Sequence, residues 1–153
     1  MKPIFSFAAS VPFVTFSLFN IFNTEKISTG MKTKEFFKNY AKALLSYSPE
    51  KISEFYTVPM TVYSDKGAQQ VTKDSEVAGF WKEGIKPYEK SKIVRTMPEI
   101  ISEEHVSKKV TICKVLWKNY DGSDKMIAEE TNLYILFKEI SGYKINGLII
   151  MSQ

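Results

Sequence analysis

The sequence is short of the side chains that most metal and redox chemistry needs: its 153 residues include one cysteine, Cys113, and one histidine, His105. A single thiol cannot close an intrachain disulfide, and one imidazole with one thiol cannot build a zinc site of the usual His/Cys spacing. No phosphate-binding loop, dinucleotide fingerprint, nucleophile elbow or zinc motif occurs, so neither a metal nor another cofactor is expected. Charge of one sign is not concentrated either. The 21 Lys+Arg and 17 Asp+Glu, net +4, are spread along the chain, which is weak ground for a nucleic-acid partner, and none is expected. What the chain does have is apolar mass, 44% hydrophobic and 14% aromatic with 25% charged, enough for the core of one ordinary globular domain.

The first 30 residues differ from the rest. Residues 3–24 carry no charge and include six phenylalanines. As a helix these 22 residues would reach about 33 Å, long enough to cross a bilayer. Pro3, Pro12 and several Ser, Thr and Asn dilute the run, and no small-x-small cleavage site follows it, so it is not a clean secretory signal. Three readings stand: a membrane anchor or atypical signal, an over-extended reading frame with Met31 as the true start, or a folded N-terminal element. The domain proper is placed at 31–153 and expected in the cytoplasm, with anchoring or export through residues 3–24 as the alternative.

Within that domain a helical half precedes a strand-rich half. Thr33 has the chemistry of a cap for a helix whose apolar side is Phe36, Phe37, Tyr40, Ala41, Leu44 and Leu45. Ser48-Pro49-Glu50 starts a second, short helix leading to Ile52, Phe55 and Tyr56 and ending before Pro59. Residues 60–64 alternate as a strand, Asp65-Lys66-Gly67 is a turn, and residues 70–72 make a short return strand. A third helix, capped by Thr72 or Asp74, buries Val77, Phe80, Trp81 and Ile85 and ends or kinks at Pro87. Strands are expected at 92–97, 106–119, 125–138 and 143–151, with Asp121-Gly122 and Ser141-Gly142 tightening the connections. His105 is expected in a solvated polar loop, and Cys113 as a small core residue.

Both parities of residues 110–117 are apolar: Val110, Ile112 and Leu116 on one side, Cys113, Val115 and Trp117 on the other. A strand of this kind cannot leave a whole face in water, so the sheet packs helices on one side and on the other either encloses something or meets a second subunit. The expected architecture is α+β, a curved, mostly antiparallel sheet wrapped around an apolar cavity and closed by three helices, with a homodimer formed through the sheet's outer face.

The order of elements resembles the nuclear-transport-factor-2-like (NTF2-like) superfamily, the cone fold of ketosteroid isomerase, scytalone dehydratase and SnoaL-type cyclases. Residues 36–44 followed by Ser48-Pro49-Glu50 and residues 52–56 resemble the family's opening helix pair. Tyr134-x-Leu136 followed by Gly142-Tyr143-Lys144-Ile145 is similar to its ending. If the isomerase's chemistry is carried over, Tyr40 falls on its tyrosine donor and Asn132 on its carboxylic-acid donor. Its base position falls on Ser64, with Asp65 one residue further and on the opposite face. Two donors are thus implied without the base.

Glu130 is the carboxylate that shares strand parity with Asn132 and Tyr134. It either faces the interior, where burial would raise its pKa, or lies at the rim paired with a lysine such as Lys114. Glu130, Tyr40 and Asn132 are therefore the candidate catalytic residues. Tyr40, Met60, Val62, Ser64, Trp81, Trp117, Asn132 and Tyr134 are candidate ligand-binding walls, with plain core packing as the alternative for the aromatic ones. The function expected is binding of a small ligand in an apolar pocket, or protein interaction, without established catalysis. The second reading is a cofactor-free lyase, isomerase or cyclase acting on an apolar carbonyl compound.

Overall fold

A computed structural model describes residues 18–151 of the chain, with side chains from Lys32 onward. Most of the stretch 3–24 on which the anchor and signal readings rest, residues 3–17, lies outside the described residues. Helix α1, Leu18–Leu45, is already formed at residues 18–24. Among the described residues no helix is long and apolar enough to cross a membrane.

The continuity of α1 corrects the helix start expected at Thr33. Because the helix runs on upstream, the N–H groups beyond Thr33 have intrahelical partners and no cap is needed there. The Thr33 side chain is instead fully buried and donates to Glu103 Oε2 at 2.7 Å. The second helix forms as the sequence suggests: Ser48 Oγ accepts from Lys51 N, Pro49 occupies the first turn, and α2 is Pro49–Ser53. Phe55 and Tyr56 are not helical. Strand β1, Tyr56–Ser64, begins at Tyr56 and passes through Pro59.

Strand β2, Gly67–Val71, returns beside β1. It is followed by α3, Asp74–Gly84, whose N-cap position is Lys73 with no side-chain capping bond, in place of Thr72 or Asp74. Proline at 87 divides the expected third helix as anticipated, and α4, Lys86–Lys90, is its short continuation. The remaining strands are β3, Arg95–His105, β4, Val110–Tyr120, β5, Met126–Glu139, and β6, Gly142–Ile150. β3 is nearly twice the expected length and takes His105 out of the loop. It contains Pro98 because it is an edge strand, where a missing N–H on the solvent side costs no ladder bond.

The six strands lie in the order β2-β1-β6-β5-β4-β3, antiparallel throughout except for the parallel β1/β6 pair. Register breaks in four of the five ladders bend the sheet. Its concave face packs on α1 and α3, giving the α+β cone. On β4, burial alternates without a break: Thr111, Cys113, Val115, Trp117 and Asn119 are buried, and the residues between them are half-buried. Inward pairs across β4 and β5 are Cys113 with Tyr134, Val115 with Asn132, and Trp117 with Glu130.

Candidate functional site

The centre of the cone is filled by rings. Phe37, Tyr40, Tyr56, Trp81, Trp117 and Tyr134 are all buried in one cluster. Tyr40 meets Trp117 at 5.9 Å and Tyr134 at 6.2 Å between centroids, edge to face, the geometry that aromatic quadrupoles favour. The Tyr40 and Tyr56 hydroxyls share a 2.7 Å hydrogen bond, and Trp117 Nε1 donates to the Tyr134 hydroxyl at 2.9 Å. Burial pushes the phenols of Tyr40, Tyr56 and Tyr134 upward, so they stay neutral donors. Tyr40, Trp81, Trp117 and Tyr134, with Met60 and Val62, are therefore core wall at this depth.

A polar chain crosses the same concave face nearer the end where β3 starts and β4 ends. Thr96 Oγ1 donates to Asn119 Oδ1 at 2.6 Å, both residues being buried. That bond fixes the amide, since Oδ1 can only accept, and turns Nδ2 toward Glu130 Oε1 at 3.1 Å. The Tyr88 hydroxyl of α4 faces the same carboxyl. Desolvation raises the Glu130 pKa, opposed by the contacts with Tyr88 and Asn119. Beyond Glu130, Ala128 and Met126 of the same strand are exposed and mark the mouth.

The structure brings Glu130 to the interior, and the pairing with Lys114 is corrected: Lys114 has the opposite parity on β4 and lies on the convex face. Asn132 is half-buried and faces the Tyr134 hydroxyl. Ser64, at the end of β1, accepts from Lys66 N and makes no hydrogen bond with the Glu130 group, while Asp65 is in the exposed turn. Tyr88, Asn119 and Thr96 were not among the expected site residues. Asn119 had a usable signal, since it shares the parity of Cys113, Val115 and Trp117.

A second polar group lies at the other end of the concave face. His105 contacts Thr111 Oγ1 through Nδ1 at 2.9 Å and Glu103 Oε1 through Nε2 at 2.9 Å. This hydroxyl, imidazole and carboxylate have the order of a nucleophilic relay, but Thr111 is only 2% exposed and no substrate can reach it. The group ties β3 and β4 to α1 through Thr33. Cys113 beside it is fully buried, and burial with the nearby Glu103 charge pushes its thiol up to about 12, so it is inert as a nucleophile. Among the described residues no group of three His, Cys, Asp or Glu is arranged to hold a metal ion.

Residues 31–152 match the family described as NTF2-like protein (DUF6841). The chain belongs to this NTF2-like family. Solved structures agree on the fold of the NTF2-like domain. An NTF-2 like protein of unknown function from Shewanella oneidensis MR-1 superposes with a TM-score of 0.59 at 11% identity, covering 79% of this chain and 97% of that one. An NTF2-like superfamily protein from Salmonella enterica serovar Typhimurium gives 0.56 at 11% identity, covering 83% and 92%. A domain of unknown function with a cystatin-like fold from Nostoc punctiforme gives 0.60 at 15% identity, covering 79% and 75%. Comparison with curated proteins finds no match.

Proposed function

We propose that this NTF2-like domain binds a small, largely apolar molecule carrying one O–H or N–H donor, held at the cone mouth with the Glu130 carboxylate as acceptor. The observation that carries the reading is the setting of Glu130: inward-facing and half-buried, with, among the described residues, only the neutral groups of Asn119 and Tyr88 on it and no ion pair. An ionised carboxyl has about four acceptor sites, and these two contacts leave capacity for a ligand donor. Tyr88, Ala128 and Met126 offer apolar surface around it. The ring-filled centre favours a ligand at the mouth over one deep in the cone.

A panel of small apolar alcohols, phenols and amides screened by thermal unfolding tests this. A ligand at about a hundred times its Kd adds about 2.7 kcal/mol of stability. In a domain of this size that raises Tm by about 5–10 °C. The gain is expected to vanish in Glu130→Gln and to survive in Asp65→Asn. A gain untouched by Glu130→Gln refutes the placement.

A second reading is favoured by the raised Glu130 pKa: acid–base catalysis of the cofactor-free isomerase, lyase or cyclase type on a carbonyl compound. Its test is deuterium exchange α to the carbonyl of small ketones, lost in Glu130→Gln. For assembly, we propose a homodimer through the convex sheet face. There Ile112, Leu116, Leu133, Ile135, Phe137 and Ile149 are half-buried and contiguous across β4, β5 and β6, and a two-fold axis would let that patch cover itself.

A further inference from the structure

Two hairpins carry nearly the same turn with opposite chemistry. In each, two residues separate the paired strand ends, Ser64 with Gly67 and Glu139 with Gly142, and the closing glycine has a positive φ, +113° at Gly67 and +130° at Gly142. In the first, the two turn residues are Asp65 and Lys66, as expected of a turn in water. In the second they are Ile140 and Ser141. Ile140 is fully exposed, at 110% of its reference area. Its φ is not among the positive ones, so the backbone there accepts any residue and nothing inside the domain calls for isoleucine.

The neighbouring β3–β4 loop has the same character. Val106 is 56% exposed, and Lys108 and Lys109 follow it. The two tips are bound together, since Lys138 N donates to Lys109 O at 2.7 Å. They share an open depression of about 750 Å³ lined by Lys108, Lys109, Phe137, Lys138, Glu139, Ile140 and Ser141. Three exposed lysines thus stand around an apolar tip against one glutamate, and none of the three is in an ion pair among the described residues. Apolar tips ringed by cations suit a surface that is anionic outside and apolar beneath.

The direction of α1 adds an independent argument. Thr33 is bonded to Glu103 near the β3 end that leads into this loop, whereas the Tyr47 hydroxyl, just past the helix end, donates to Ile93 O ahead of β3. The helix N-terminus therefore points past the lysine-bearing tips, and the 15 residues from Leu18 to Lys32 extend it by about 22 Å beyond Thr33. Residues 18–24, the described part of the uncharged stretch, thus lie beyond the same end of the sheet, opposite the Glu130 mouth. We propose that this end docks on an anionic lipid bilayer, with Ile140 entering the headgroup layer and Lys108, Lys109 and Lys138 against lipid phosphates.

The test uses the full chain with Ile140→Cys carrying an NBD fluorophore, which labels selectively because Cys113 is fully buried. Vesicles are phosphatidylcholine alone or with one third phosphatidylglycerol. The expected result is a blue shift and a several-fold rise in emission on the anionic vesicles, weakened by salt. Each of Lys108→Gln, Lys109→Gln and Lys138→Gln should reduce partitioning about fivefold. Sedimentation of the unlabelled Ile140→Ser chain, altered only at an exposed turn, should fall in parallel. Because the probe reports from the tip, retention of the protein through residues 3–24 alone leaves its emission unchanged, and that outcome overturns the proposal. So does an equal response on neutral vesicles that the lysine variants do not alter, or the same response to heparin, which would assign the tip to soluble polyanions.

Discussion

Replacing Asn119 by leucine removes the middle of the Thr96, Asn119, Glu130 chain, and the structure sets the cost. Asn119 is fully buried and makes two side-chain hydrogen bonds, at 2.6 Å from Thr96 Oγ1 and 3.1 Å to Glu130 Oε1. Its loss leaves the Thr96 hydroxyl buried without a partner, about 1–3 kcal/mol, and removes a bond to a carboxylate, about 1.5–3 kcal/mol. Leucine recovers some apolar contact, so the net loss expected is about 3 kcal/mol, within reach of a domain with about 5–15 kcal/mol in hand. Urea unfolding followed by tryptophan fluorescence reads this directly, because Trp81 and Trp117 are both buried. In the double variant with Thr96→Val the stranded hydroxyl is gone, so the two losses should fall short of additivity by about 1 kcal/mol. A loss below about 1 kcal/mol for Asn119→Leu, or strict additivity, refutes the chain as described.

Glu130 gives a pH signature of definite sign. Its folded pKa is raised by burial, so its contribution is fully present below the unfolded value of about 4.3 and is lost as pH rises through the folded pKa; the difference in stability between the wild type and Glu130→Gln should follow that course in urea unfolding at stepped pH. Gly147→Ala would put a Cβ 2.8 Å from Ile135 Cδ1 and 3.2 Å from Ile135 Cβ, and should cost about 1–3 kcal/mol, partly recovered with Ile135→Ala, in thermal unfolding. Thr33→Val strands one oxygen of Glu103 and should cost about 1–2 kcal/mol, with faster amide exchange in α1. Leu133→Glu on the convex face should shift the proposed dimer to monomer by light scattering, and an unchanged mass contradicts that interface.

The parts of the fold legible in the sequence are those where one local rule acts alone. Ser48-Pro49 reads as a helix start because cap and proline agree, and residues 110–117 read as a two-faced strand because both parities are apolar. The misread parts are those where tertiary context overrides local chemistry. Thr33 has the composition of a cap but spends its hydroxyl on Glu103 seventy residues away. Glu103, Glu104 and His105 look like a loop because an edge strand tolerates charge, and Pro98 looks like a stop because only an edge can hold it. At the site, Glu130 and Asn132 were within reach through parity with Tyr134. Tyr88 was not, since its approach to Glu130 depends on how α4 turns after Ile85, which nothing local specifies. The ring-filled centre was equally beyond reach, because periodicity gives the face of a side chain and not the volume between opposed faces.

The central claim is that Glu130 is an inward, desolvated carboxylate held by neutral donors and free to accept from a ligand. Its most direct test is the titration of the Glu130 side-chain carbon resonance by NMR, assigned with Glu130→Gln. The account predicts a midpoint clearly above the ordinary glutamate value of about 4.3, moving further up in Asn119→Leu as a donor to the anion is lost. A midpoint at or below the ordinary value, indifferent to Asn119→Leu, would place Glu130 in solvent and contradict the account.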